Sequence, residues 1–410
     1  MTLRTPLSWQ RRSRGFSLVE ILVGVAIGMV GMLVIFRTVA TWDTHTRSTA
    51  SGGDAQTAGS LAMFNFERDV KQAGLGFMGI GAIVPPGPGL PAPNAPTSLG
   101  CSVAFNDTTT GRVLPFNMVP IEITVGALGA PDTVNVLYGN SAFFVTRETF
   151  DLSTASSKTL ARNNNAFKTG DLAIVAKDTV CQLVQVTAYP DGKTIAHSAG
   201  NYVNFYYGPA ASAAARYNDL AGPAFATGGD IYNLGPRPRR NTWQVNPLRA
   251  VLTSAEFFQG DPAVEVAEGV INLKAQYGLD TNGDRVVDLW TNTLPLPTTP
   301  AVWAQVMAVR VGMLVRSRQF EKSADQSASG AAQGVTTVNP TWAGSTDPSL
   351  NGGFLMTNVN GSPDSYGPND ADPNNWRFYR YRVYEKEILL RNVMWGTSPG
   401  SINILGMSGS

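Results

Sequence analysis

The chain has 410 residues, 43% of them hydrophobic and only 15% charged, with 31 Lys and Arg against 30 Asp and Glu. This balance argues against nucleic-acid binding as the main activity, which leaves a basic excess. Two cysteines and two histidines exclude both a Cys/His zinc cluster and a disulfide-dense scaffold by count.

Residues 1–15, MTLRTPLSWQRRSRG, hold Arg4, Arg11, Arg12 and Arg14 and no acid. Residues 16–36 then form an apolar run with a single charge, Glu20. At about 1.5 Å per residue the run spans about 31 Å, enough to cross a bilayer core. The basic leader predicts a cytoplasmic start and an exported remainder. The run is too long for a secretory signal peptide, and no small-x-small cleavage site follows it. Glu20 does not suit a plain signal anchor. A carboxylate inside an apolar membrane helix costs about 2.5–3.5 kcal/mol and calls for a partner.

Arg14-Gly15-Phe16-Ser17-Leu18-Val19-Glu20 resembles the processing motif of type IV pilins and type II secretion pseudopilins. The resemblance implies a membrane-bound prepilin peptidase that cuts after Gly15 and methylates the new amino-terminal Phe16. It also implies that Glu20 of one subunit neutralises the terminal ammonium of its neighbour in the fibre, so that neither charge is buried alone. Cleavage removes four cations and no acid and shifts the formal net charge from +1 to −3. The leader arginines are therefore topology signals.

Residues 37–75 predict a continuation of the helix, loosened or kinked at Gly52-Gly53, since each glycine weakens a helix by about 1 kcal/mol relative to Ala. Within 57–73, Leu61, Phe64 and Val70 are expected near one face, and Gly74 as the stop. The stretch FERDVKQAG resembles the corresponding helix of large minor pilins of the PilW type. Gly74–Gly79 matches a dinucleotide fingerprint only formally, because it follows a helix instead of a strand. Six prolines in 85–96 mark a loop.

From 101 to 210 the alternation predicts short strands, among them 132–138, 172–175 and 180–187. Cys101 and Cys181 fall here, exported into an oxidising compartment. They form either one disulfide or two buried thiols. Residues 208–245 read as irregular, with Arg237-Pro238-Arg239-Arg240 on a solvated loop. Residues 264–277 suit a helix or an edge strand, and a helix is expected. Asp280, Asn282, Asp284, Val286 (through its carbonyl) and Asp288 place oxygens at the spacing of a calcium loop. The stretch resembles dockerin and EF-hand loops. Arg285 stands where Gly is usual, and Thr291 where a carboxylate is usual. The alternative is an ion-free Asp/Asn/Gly turn.

Val302–Val315 predicts a central strand. Residues 323–375, rich in Ser, Gly, Asn, Asp and Thr, predict a long polar insertion with little core of its own. Trp376–Tyr384 predicts an amphipathic strand. Together with 387–392 it resembles the carboxy-terminal strand pair of PilW-type proteins.

Catalytic motifs fail on inspection. Gly396-Thr397-Ser398-Pro399-Gly400 has the nucleophile-elbow spacing, but Pro399 has no N–H for an oxyanion hole. Gly192-Lys193-Thr194 lacks the earlier glycine of a phosphate loop, because Thr187 stands there. His45 and His197 have no adjoining triad pattern. No enzyme is expected.

The expected fold is α+β and pilin-like, a long amino-terminal hydrophobic helix packed on an antiparallel β-sheet domain with large loop insertions. The divisions are a leader at 1–15, a membrane or fibre-core helix at 16–36, its continuation at 37–75, and a β-rich exported domain at 76–410. The resemblance implies a non-catalytic minor pilin that primes or caps type IV pilus assembly near the tip. Expected partners are other minor pilins, the major pilin and a large tip adhesin. Before assembly the chain would sit in the inner membrane with its carboxy-terminal domain in the periplasm. A large type II secretion pseudopilin, or an adhesin on a pilin anchor, are the alternatives.

Overall fold

The computed structural model describes residues 15, 17–78, 98–104, 106–113, 115–142, 147–208, 212–218, 224–225, 228–296, 298–326, 332–346 and 353–396. The leader at 1–14, Phe16, the proline-rich loop and Ser398 lie outside the described residues. The chain forms two units, Met1–Gly53 and Asp54–Ser410.

A single α-helix, α1, runs Leu18–Val70 over 53 residues. The helical pattern continues through Gly52 and Gly53. Propagation from long helical segments on either side outweighs two weak positions.

In the second unit, the buried face of α1 is Ala55, Ala62, Met63, Phe66 and Val70. Leu61 and Phe64 are 49% and 60% exposed, contrary to expectation. At about 100° per residue, Leu61 lies half a turn away from Val70, so the two cannot share a face. Small residues set the phase of the stripe. A Cβ at Gly59 would overlap the ring of Tyr384, so glycine lets the helix lie directly on the strand Tyr381–Leu389. Asp69 fixes the helix end to the sheet. Its Oδ1 accepts from Tyr138 Oη at 2.7 Å, and its Oδ2 from Trp243 Nε1 at 2.6 Å. Asn241 Nδ2 donates to both oxygens. The chain leaves the helix through Gly74 at φ +82°, a conformation open to glycine.

Among the described residues the strands form three larger sheets and two ribbons. The first sheet has eight strands, in the order Phe116–Asn117, Ser102–Ala104, Val180–Gln185, Leu172–Lys177, Gly229–Gly235, Glu148–Ser153, Ser157–Leu160 and Thr194–Ala196. All its pairs are antiparallel except Ser102–Ala104 with Val180–Gln185. The second has five, in the order Val264–Glu268, Val251–Glu256, Arg239–Asn246, Thr133–Tyr138 and Ile121–Thr124. The third has four, in the order Leu289–Thr291, Val270–Leu279, Val306–Arg316 and Tyr381–Leu389. The main core joins the helix to all three sheets.

Five local expectations are corrected. Residues 264–277 are strands, Val264–Glu268 and Val270–Leu279, separated at Gly269 with φ +82°. Every residue of Val270–Leu279 is buried, so the usual alternation is absent. Two of its polar side chains donate into the fold instead. Lys274 Nζ meets Asp132 Oδ1 at 2.6 Å, and Asn272 Nδ2 donates to the Gly129 carbonyl at 2.9 Å. Residues 208–245 are not irregular, since they hold the strands Ser212–Ala214, Gly229–Gly235 and Arg239–Asn246. Arg240 leaves the expected basic loop and pairs with Glu122 at 3.1 Å.

The third correction concerns 302–315. Its start is a short helix, Pro300–Ala304, capped by Thr299, and the strand opens only at Val306. Trp376–Phe378 is likewise a 3-10 turn ahead of the strand Tyr381–Leu389. Last, the polar insertion does carry core. Trp342, Phe354 and Met356 are buried with Trp376 against Ile271 and Leu314. A few large apolar side chains, far apart in a polar stretch, escape a compositional average.

Candidate functional site

The amino-terminal end of α1 has its own cap. Ser17 Oγ accepts the Glu20 N–H at 3.2 Å, and the Ser17 carbonyl accepts the N–H groups of Glu20 and Ile21. Ser17 is thus the N-cap and Glu20 the third helical residue, the Ser-x-x-Glu arrangement of a capping box. Glu20 adds a carboxylate to the first turn, where the helix dipole favours negative charge. This signal was legible in the sequence, but the role of Ser17 was overshadowed by Phe16 and Glu20. Gly15 is exposed beside it.

From Leu18 to Val39 the helix is long and apolar enough to cross a membrane, and none of its side chains is buried. Leu18, Ile27, Met29, Val30 and Phe36 are each at least 65% exposed. At about 25 cal/mol per Å² such a surface does not stay in water, so lipid or the helices of other subunits must cover it. Thr38 turns its hydroxyl back onto the Val34 carbonyl at 2.9 Å, which removes one polar group from that requirement.

Cys101 and Cys181 are joined by a disulfide with Cα atoms 6.1 Å apart. It closes the short parallel pairing in which Val103 faces Cys181. With its sulfur bonded, Cys181 offers His197 no thiolate. His197 is itself buried, with Nε2 3.1 Å from Lys158 Nζ. Burial first, then the neighbouring ammonium, holds His197 at about 4.

The 280–288 loop is built on turns. Asp280 accepts the N–H groups of Gly283 at 2.6 Å and Arg285 at 2.8 Å. Asn282 Oδ1 accepts from Asp284 N, and Asp284 Oδ1 from Val286 N, each at 2.8 Å. Asp288 receives the backbone and hydroxyl of Thr281. Arg285 adopts φ +69°, the left-handed conformation usually given to Gly. The carboxylates are thus turned onto backbone donors. Among the described residues no group of three or more His, Cys, Asp or Glu is placed to hold a metal.

The comparisons follow this geometry. Residues 248–392 match the family Type IV Pilus-assembly protein W, and residues 10–36 match the prokaryotic N-terminal methylation motif. The first match takes in the third sheet and the strands Val251–Glu256 and Val264–Glu268 at one edge of the second, and leaves out the eight-stranded sheet. Among solved structures, the type IV-like pilin TTHA1219 from Thermus thermophilus is similar at 14% identity and a TM-score of 0.21. That similarity covers 38% of this chain and 66% of the other, just under two thirds of its length. No curated protein matches. The chain thus carries a segment similar to the pilus-assembly W family at 248–392, and at 10–36 a segment similar to the N-terminal methylation motif that overlaps the capped apolar helix.

Proposed function

We propose that the protein is a minor pilin, a non-catalytic subunit that primes or caps a type IV pilus near its tip. The observation that carries this reading is the uncovered apolar helix Leu18–Val39, opened by the Ser17–Glu20 cap directly behind Gly15. A helix held in the inner membrane can move into a bundle of like helices, where Glu20 meets the terminal ammonium of an adjacent subunit. A head carrying an eight-stranded sheet beyond the W domain supports a terminal station. Subunits inside a helical lattice have neighbours on every side, whereas a terminal one has room. Partners on this reading are other minor pilins, the major pilin, the prepilin peptidase and a tip adhesin.

The test is intact mass and amino-terminal sequencing of the protein from sheared fibres and from membranes. The expected result is a chain beginning at N-methylated Phe16, present in fibres at a small fraction of the major subunit. Glu20→Ala should be processed yet fail to enter fibres. A chain starting at Met1 and confined to membranes would refute the reading. Loss of secretion without loss of twitching in a deletion strain would instead place the protein in a type II pseudopilus.

Calcium at 280–288 is a separate proposal, supported by the oxygen spacing alone. It requires Asp280 to exchange its bonds with Gly283 and Arg285 for the ion. A saturable Ca²⁺ heat lost in Asp284→Ala is the expected outcome, and no heat leaves an ion-free turn.

A further inference from the structure

Within the second unit, a cleft of about 710 Å³ opens between the first and second sheets. Its walls carry Tyr202, Tyr206, Tyr207, Arg237 and Arg239. Tyr206 is 39% and Tyr207 61% exposed, so two aromatic rings face solvent at its mouth.

The depth of the cleft holds one forced donor. Tyr202 is only 8% exposed, and its oxygen accepts from Gln185 Nε2 and Asn204 Nδ2, each at 3.0 Å. Neither amide can turn round. Gln185 Oε1 is held by the Arg216 N–H at 2.8 Å, and Asn204 Oδ1 by the Tyr206 N–H at 2.9 Å. With both acceptor directions filled, the Tyr202 proton has no acceptor among the described residues, while its ring lines the cleft. The hydroxyl is therefore placed to donate to an acceptor oxygen that enters the cleft.

Four charged side chains line the cleft, the cations Arg216, Arg237 and Arg239 and the anion Glu256. Glu256 keeps its charge and is held in place by the N–H groups of Arg240, Phe258 and Gln259. Arg216 is spent on Asp107, with Nε–Oδ1 at 2.6 Å and Nη2–Oδ2 at 2.7 Å. Arg237 reaches Tyr207 Oη at 3.3 Å and makes no ion pair among the described residues, and neither does Arg239.

We propose that this cleft binds an acidic saccharide of the uronic-acid type. Sugar C–H faces lie on the Tyr206 and Tyr207 rings, a ring or hydroxyl oxygen accepts the Tyr202 proton, and the carboxylate meets Arg237 and Arg239. Flat aromatic faces with few convergent polar groups suit a pyranose, and planar guanidinium groups suit a carboxylate. The inference does not depend on the station of the protein in a fibre.

The test is calorimetric titration of the full chain in detergent with an oligogalacturonate, its methyl ester and an acidic peptide of equal charge. Saturable binding of the oligogalacturonate is expected, at least about tenfold tighter than the ester, the size of one lost charge-assisted bond. Arg237→Gln, on an exposed side chain, should weaken it by a similar factor. Tyr202→Phe should weaken acid and ester alike, because the donor is neutral. Arg249→Gln, outside the cleft, should leave binding unchanged. No saturable binding, equal affinity for acid and ester, or insensitivity to Arg237→Gln would each overturn the proposal. So would equal binding of the acidic peptide, which would give the cleft to a protein partner.

Discussion

Lowering the pH from 7 to 4 should loosen the corner of the first sheet where His197 meets Lys158. Lys158 is fully buried and gives its protons to the Thr154 carbonyl at 2.6 Å, the Ser157 carbonyl at 3.2 Å and His197 Nε2 at 3.1 Å. Nε2 must therefore be the unprotonated nitrogen, and a second proton there would set two cations side by side without water. Burial, and then Lys158, lower His197 from its ordinary 6.5 to about 4. The unfolded chain binds the proton first as pH falls. Stability is complete above about 6.5, drains away between 6.5 and 4, and is level below. At 1.36 kcal/mol per unit, the full loss is about 3 kcal/mol. Lys158 itself is lowered by burial only to about 8, so it stays charged across this window. Urea unfolding of the full chain in detergent, followed by circular dichroism at steps from pH 7.5 to 4, measures the loss. His197→Gln keeps an acceptor for Lys158 and cannot titrate, so subtracting its curve removes the carboxylates. Parallel curves for wild type and variant through this window would refute the reasoning.

Asp69→Ala should destabilise the protein by about 3 kcal/mol, because Tyr138 Oη and Trp243 Nε1 lose their acceptor inside the fold; equilibrium unfolding checks this. Gly59→Leu should lower the melting temperature and raise hydrogen exchange in the strand Tyr381–Leu389, since its Cβ would meet the Tyr384 ring, whereas Ser60→Leu on the exposed side should not. Cys101→Ser with Cys181→Ser should cost about 4 kcal/mol by the loop-closure entropy of an 80-residue separation, read as a shift in urea midpoint against the oxidised wild type.

The membrane-length helix, the processing motif and the strand-rich remainder could all be read along the chain, because each is written in local order. Apolar length, charge spacing and alternation need no neighbours to be recognised. The same local logic misread Val270–Leu279, since a strand covered on both faces loses its alternation and can carry Asn272 and Lys274 inside. It also placed Leu61 and Phe64 inward, because the sheet packs on the face that carries Ala55, Gly59, Ala62, Met63, Phe66 and Val70. Asp69 gave no sign of its role, for its partners at Tyr138 and Trp243 are remote in sequence. Trp342, Phe354 and Met356 looked like strays in a polar stretch until Ile271 and Leu314 gave them something to cover.

Sequence alone determined the membrane-length helix, the methylation motif that overlaps its start and the strand-rich remainder, since these follow from hydrophobicity and charge over neighbouring residues. Only the tertiary structure decided which polar groups are buried and matched, which face of the helix meets the sheet, and that Tyr202, Arg237 and Arg239 share one cleft. Those outcomes depend on long-range pairing, and a residue's chemistry there is set by whatever the fold brings against it.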